Sequence, residues 1–186
     1  METQYLHTPQ GRRLAYRFTQ RTENGRAFVW LSGFNSDMSG SKVLALETWA
    51  KANGHGFLAF DYSGHGLSDG KFAEGTISAW RDDSLAAIDA LTEGPQILVG
   101  SSMGGWLALL AALARPARVP SLILIAPAPD FTEKLMWPDL SEAAQNQIKD
   151  TGVYLRPSPY GDPYPITRDL IEDGRAWQIL DAPIDL

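Results

Sequence analysis

Gln96-Ile97-Leu98-Val99-Gly100-Ser101-Ser102-Met103-Gly104-Gly105-Trp106-Leu107-Ala108-Leu109-Leu110-Ala111-Ala112-Leu113-Ala114 is the stretch that decides how this chain folds. Its opening, Gln96 to Val99, reads as a short buried strand. Its last nine residues, from Trp106, are mostly Ala and Leu and read as a helix. Between them, Gly100-Ser101-Ser102-Met103-Gly104 fits the G-x-S-x-G nucleophile elbow, which requires this strand–turn–helix setting. In such an elbow the serine takes a strained backbone conformation costing about 1–3 kcal/mol. The strain holds its hydroxyl out at the end of the sheet. Gly100 and Gly104 leave room for strand and helix to pass closely, where a side chain would clash. Ser102 is the candidate nucleophile; a Gly-rich structural turn is the alternative reading.

A serine nucleophile needs a base, usually a histidine oriented by a carboxylate. In the elbow setting the chain order is Ser, then acid, then His. The three histidines, His7, His55 and His65, all precede Ser102. His7 lies on the first hairpin, and His55 follows a helix as a C-terminal residue would. His65 stands in the turn Gly64-His65-Gly66. Candidate acids are Asp130, which follows a strand, and Asp181 and Asp185 near the chain end. The chain thus presents a nucleophile without the usual catalytic His and acid.

Outward from the elbow, strands and helices alternate. Gln4 to Thr8 and Arg13 to Thr19 read as a hairpin turning at Gln10-Gly11. Ala27 to Leu31 and Gly56 to Phe60 are near-continuous apolar strands, as is Ser121 to Ala126. Ser41 to Asn53 reads as a helix whose apolar face is Val43, Leu44, Leu46, Trp49 and Ala50. Ile77, Trp80, Leu85, Ile88 and Leu91 mark one face of a second helix. This pattern predicts an α/β fold: a mostly parallel sheet with an N-terminal antiparallel hairpin and helices on both faces. Ligands bind beyond the carboxyl ends of such strands, where Gly33-Phe34, Asp61-Tyr62 and Ser101-Ser102 converge.

From Pro127 the alternation breaks at Pro127, Pro129, Pro138, Pro157, Pro159, Pro163 and Pro165. Helical stretches remain at Ser141 to Asp150 and Thr167 to Leu180. Residues 1–126 are read as the core and 127–180 as a cap or lid insertion. Trp137, Leu140, Val153, Tyr154 and Leu155 would supply the cap's apolar surface. Residues 181–186 resemble the approach to a further core strand, so the last two strands of the sheet are expected to be absent.

The 186 residues suffice for one domain with a real core, at 44% hydrophobic content. A formal charge of −6 leaves no basic stripe for nucleic acid. With no cysteine there is neither a disulfide nor a thiolate metal site, and no cofactor or metal is expected. The opening Glu2-Thr3-Gln4-Tyr5 lacks a basic and an apolar region, and no apolar run approaches the ~18 residues of a membrane span. A cytoplasmic location is the expectation.

Leu31-Ser32-Gly33-Phe34, Asp61 to Ser68 and Gly100 to Trp106 together resemble the α/β-hydrolase superfamily. Within it, Thr92 to Trp106 looks most like bacterial relatives of a mitochondrial abhydrolase-domain depalmitoylase that is also an acyl-glucuronide esterase. The resemblance implies a serine hydrolase of small-molecule esters or acyl thioesters working through an acyl-enzyme on Ser102. It implies an oxyanion hole from the backbone N–H groups of Met103 and Phe34, and a structural role for the Gly-His-Gly turn. Two other readings stand beside it. One is a non-catalytic ligand- or partner-binding domain on the same scaffold; the other is a carbon–carbon hydrolase or haloperoxidase-like enzyme.

Overall fold

A computed structural model describes residues 2–158 and 161–186. The chain runs β1 (Gln4–His7), β2 (Arg13–Thr19), β3 (Ala27–Leu31), α1 (Ser41–Ala52), β4 (Gly56–Phe60), α2 (Ile77–Leu91), β5 (Ile97–Ser101), α3 (Met103–Ala114) and β6 (Ser121–Ile125). Among the described residues these strands make one sheet in the order β1-β2-β4-β3-β5-β6. β1, β2 and β4 pair antiparallel; β4, β3, β5 and β6 run parallel.

Period-two alternation divides the core between the faces of the sheet. On β3, Phe28 and Trp30 join Met38, Val43, Ala50 and Phe57 on the α1 side. Val29 and Leu31 join Leu58, Trp80, Ile88 and Trp106 on the α2–α3 side. A strand apolar on both faces must be covered on both, which is why β3 and β4 are central.

Helix α1 corrects the apolar face read from the sequence. Val43 and Ala50 are buried, but Leu44 and Trp49 are exposed and Glu47 is buried in their place. Glu47 turns inward because Arg17 on β2 meets it, with Nη2 donating at 2.8 Å. A buried carboxylate is tolerable only with such a partner.

After β6 come a wide turn at Thr132–Met136, α4 (Trp137–Asp139), α5 (Glu142–Thr151), β7 (Val153–Ser158), β8 (Gly161–Thr167) and α6 (Arg168–Ala176). Pro157, Pro163 and Pro165 read as breakers in the sequence, yet they lie within the β7–β8 hairpin. A two-stranded ribbon has only edge strands, so a residue without an N–H can face outward in it. Pro159 lies outside the described residues. α6 stops at Ala176 rather than Leu180, because the N–H groups of Ile179 and Leu180 bond instead to the Asp130 carboxylate, both at 2.9 Å.

Residues 127–180 share the core of the sheet. Phe131, Leu140, Ile148, Ile166 and Leu170 pack in the same cluster as Trp80 and Trp106. Trp177 Nε1 donates to Ser78 Oγ at 2.7 Å, and Trp106 Nε1 donates to the Trp177 carbonyl at 3.2 Å. These bonds tie the end of α6 to α2 and α3.

β6 pairs only with β5 among the described residues, leaving its outer edge open. Ile123 and Ile125 on it are 46% and 36% exposed. An uncovered apolar edge promotes strand-to-strand association. Ile123→Lys is expected to reduce self-association of the 186-residue chain, measured by light scattering, while shifting its melting temperature little.

Candidate active site

Ser102 sits between β5 and α3 with φ 55° and ψ −120°. A side chain in the left-handed region is strained and persists only where its surroundings over-determine it. Here they do. The Ser102 N–H donates to the Ile125 carbonyl at 3.1 Å, and its own carbonyl accepts from Gly105 at 2.9 Å and Ala128 at 3.0 Å. A Cβ on Gly100 would collide with the Gly104 carbonyl, and one on Gly104 with the Leu31 carbonyl. Ser102 precedes the first turn of α3, yet its hydroxyl makes no capping bond, and the residue is exposed.

Met103 is the first residue of α3, so its N–H lies ahead of any intrahelical acceptor. Its side chain is fully buried in the core, so only its backbone faces the elbow. Gly33 brings the end of β3 against the serine: a Cβ there would lie 3.4 Å from Ser102 Cβ. Among the described residues, neither the Met103 nor the Phe34 N–H has an acceptor. The Phe34 ring turns away into an aromatic set, with centroids 5.0 Å from Phe72, 5.5 Å from Phe131 and 5.8 Å from Tyr164.

What holds the Phe34 loop was not singled out in the sequence. Asp61, at the end of β4, is 1% exposed. Its carboxylate accepts the Met38 N–H at 2.7 Å and the Leu67 N–H at 2.9 Å, joining the loop after β3 to the Gly-rich loop. Burial raises its pKa above the ordinary carboxylate value, against the lowering by those two bonds. Tyr62 adds a hydroxyl bond to the Ser32 carbonyl at 3.1 Å.

None of the three histidines bonds to Ser102. His65 is 4% exposed, its ring against Tyr62, Phe72 and Trp80, with Nδ1 3.3 Å from the Ser63 carbonyl and Nε2 without a partner. Burial lowers its pKa below 6.5. His55 Nδ1 accepts the Arg26 N–H at 3.3 Å, and His7 sits on β1. Asp130, fully buried, is occupied by Ile179 and Leu180. Asp181 pairs with Lys134 at 2.7 Å, and Asp185 lies beside the start of β6.

Residues 23–172 match the family described as serine aminopeptidase, S33 (Hydrolase_4). The chain belongs to the α/β-hydrolase superfamily. It is 40% identical over 182 residues, 97% of its own length, to proteins named palmitoyl-protein thioesterase ABHD10, mitochondrial, from Bos taurus and Homo sapiens. It spans 58% of the length of each of these curated relatives. Among solved structures, a putative hydrolase from Agrobacterium vitis S4 superposes with a TM-score of 0.93 at 38% identity, over 99% of this chain and 75% of that one. The α/β-hydrolase domain-containing protein 10 from mouse gives 0.85 at 38% identity, over 99% and 73%.

In this α/β-hydrolase the elbow opens on a cleft of ≈ 300 Å³. Its walls include Trp30, Phe34, Ser36, Asp37 and Lys42, so the side facing α1 is polar. Among the described residues, no helix is long and apolar enough to cross a membrane.

Gly104→Ala is expected to destabilise the chain by at least about 1–3 kcal/mol in urea unfolding, since the Leu31 carbonyl fills the space a methyl needs. His65 gives a pH prediction. Its folded pKa lies below 6.5, so the unfolded state takes up the proton first. Its contribution to stability is complete above pH 6.5 and is lost as pH falls through 6.5 toward the lower folded value. The fall in melting temperature between about pH 7 and 5 should be shallower in His65→Phe.

Proposed function

We propose that this chain carries the nucleophile and oxyanion hole of a serine hydrolase acting on carboxylic esters or acyl thioesters. The observation that carries the reading is Ser102, held in a strained backbone with an uncommitted, exposed hydroxyl. Ser102 Oγ attacks the acyl carbonyl carbon, and the carbonyl oxygen becomes an oxyanion beside the Met103 and Phe34 N–H groups. Charge appears there only in the transition state, so two preset donors favour the reaction over the ground state. The tetrahedral species collapses, the C–O or C–S bond breaks, and the alcohol or thiol leaves with a proton. Water then attacks the acyl-serine and releases the acid.

Both halves need a base to accept and return a proton. His65 is packed among aromatic rings and His55 is bonded to Arg26 at the far end of β4, so neither serves. We infer that the base is supplied from outside these 186 residues. The thioester half of the reading draws on the names of the mammalian relatives. Residues 127–180 serve as the cap: Phe131 and Tyr164 from this segment touch Phe34, and half-buried Trp137 and Tyr154 pack against the same apolar cluster.

The cleft size is at the small end for ligand sites, about 300–1,000 Å³, and the α1 side offers Asp37 and Lys42 to a polar leaving group. Short acyl groups are therefore expected to turn over faster than palmitoyl ones. The non-catalytic alternative is favoured by the engagement of His55 and His65 away from Ser102 and by the place of His7 on β1, and the assay separates the two. Because Ser102 is exposed, added imidazole can stand in for the missing base. The difference in p-nitrophenyl butyrate hydrolysis between the wild-type chain and Ser102→Ala is expected to grow with imidazole concentration. Without imidazole, only the residual ~10³–10⁴-fold advantage over water that binding and the oxyanion hole can supply should remain. Equal rates in both proteins at every imidazole concentration would favour a binding domain. Ordinary enzyme rates abolished by His65→Ala would reassign the base.

A further inference from the structure

His65 is a buried ionisable group that the proposed reaction does not use. It stands in Gly64-His65-Gly66, in the loop after β4. Its ring meets three others edge-to-face, with centroids 5.5 Å from Tyr62, 5.0 Å from Phe72 and 5.1 Å from Trp80. Nδ1 lies 3.3 Å from the Ser63 carbonyl. A carbonyl oxygen only accepts, so Nδ1 carries the proton of the neutral ring and Nε2 holds the lone pair. Nε2 is buried and has no hydrogen-bond partner among the described residues.

Two of these neighbours lead to the oxyanion hole. Phe72 and Trp80 also touch Phe34, with centroids 5.0 and 5.9 Å from its ring. Trp80 Nε1 donates at 3.1 Å to the same Ser63 carbonyl that His65 Nδ1 meets. Trp80 is backed by Gly75, where a Cβ would collide with its ring. The Phe34 ring therefore rests on two rings that themselves rest on His65.

The charged groups around His65 are already engaged. Asp83 on α2 pairs with Arg12 at 2.6 Å and accepts the Ser63 N–H. Asp37, in the loop after β3, accepts the Ser39 N–H, and Asp61 accepts those of Met38 and Leu67. The Tyr62 hydroxyl donates to the Ser32 carbonyl. Beside Phe72, Lys71 and Glu74 are exposed and pair with each other at 3.7 Å. Asp83 and Asp37 favour the imidazolium, but burial outweighs them. A proton added at Nε2 would become a buried charged N–H without an acceptor, which is costlier than a buried lone pair without a donor.

We propose that His65 is a positioning residue for the oxyanion hole: the neutral ring holds Phe72 and Trp80 against Phe34, and protonation of Nε2 from solvent displaces the ring and frees the Phe34 loop. The inference rests on the reading of the Phe34 N–H as an oxyanion donor. It makes the Ser102 reaction fall at low pH through a histidine that exchanges no proton with the substrate.

The test is NMR of the 186-residue chain across pH. Nuclear Overhauser cross-peaks between the Phe34 and Phe72 rings are expected at high pH. They should weaken, and the Phe34 amide should shift, as His65 titrates with a midpoint below 6.5. In His65→Phe the cross-peaks should persist at every pH. An amide shift with the cross-peaks intact would mean a charge felt only through space, and overturns the proposal. So do cross-peaks that weaken equally in His65→Phe. The wild-type titration decides even if that variant does not fold. Imidazole-assisted, Ser102-dependent butyrate hydrolysis gives a second reading, because the ratio of wild-type to His65→Phe rates cancels the protonation of the added imidazole. That ratio is expected to fall at least about threefold from about pH 8 to about pH 5, since removing an oxyanion donor outright costs about 10²–10³ in rate. A constant ratio overturns the proposal. No Ser102-dependent hydrolysis at any pH would count against the hydrolase reading instead, and the ring contacts would still decide whether His65 positions Phe34.

Discussion

The site depends on one constrained residue. Ser102 is held in a left-handed backbone conformation by three main-chain bonds, one to the end of β6 and two across the start of α3 and the segment after β6. Such a conformation is unfavourable for any residue with a side chain. Three pieces of chain that meet only in the folded sheet maintain it. The consequence is chemical: the hydroxyl cannot fall back onto α3 as an N-cap, and the first N–H of that helix stays open beside it. The same closeness dictates Gly100 and Gly104, because backbone from β3 and α3 occupies the space their side chains would need. Packing, strain and chemistry at this point are one arrangement.

The second half of the site rests on buried charge. Asp61 spends its carboxylate on two backbone N–H groups from different loops, and burial alone would drive it toward the neutral form. Those bonds make the charged form tolerable and fix where the Phe34 loop sits. Asp130 plays a comparable part across the sheet edge, fastening the residues after α6 to the turn after β6. Both acids stabilise loops through backbone donors; neither is oriented toward a histidine.

The parallel sheet, its hairpin and the elbow were legible in the sequence because each rests on local pattern. β2, β3 and β4 have the limits that their apolar patterns and bounding turns imply, and Gly100 to Gly104 carries its own geometry. What was not legible depends on partners distant in the chain. Glu47 looks like a solvent residue until Arg17 is placed across from it. Asp61 looks like the end of a strand until Met38 and Leu67 fold over it. The β7–β8 hairpin was hidden because proline forbids a central strand but not an open ribbon.

The central claim is that the constrained serine is the group that takes the acyl chain. Peptide mass spectrometry after reaction with an alkyl fluorophosphonate in imidazole tests it most directly. The account predicts a single adduct, on the peptide containing Ser102, and none in Ser102→Ala. An adduct on another residue, or ester hydrolysis that persists in Ser102→Ala, would contradict it.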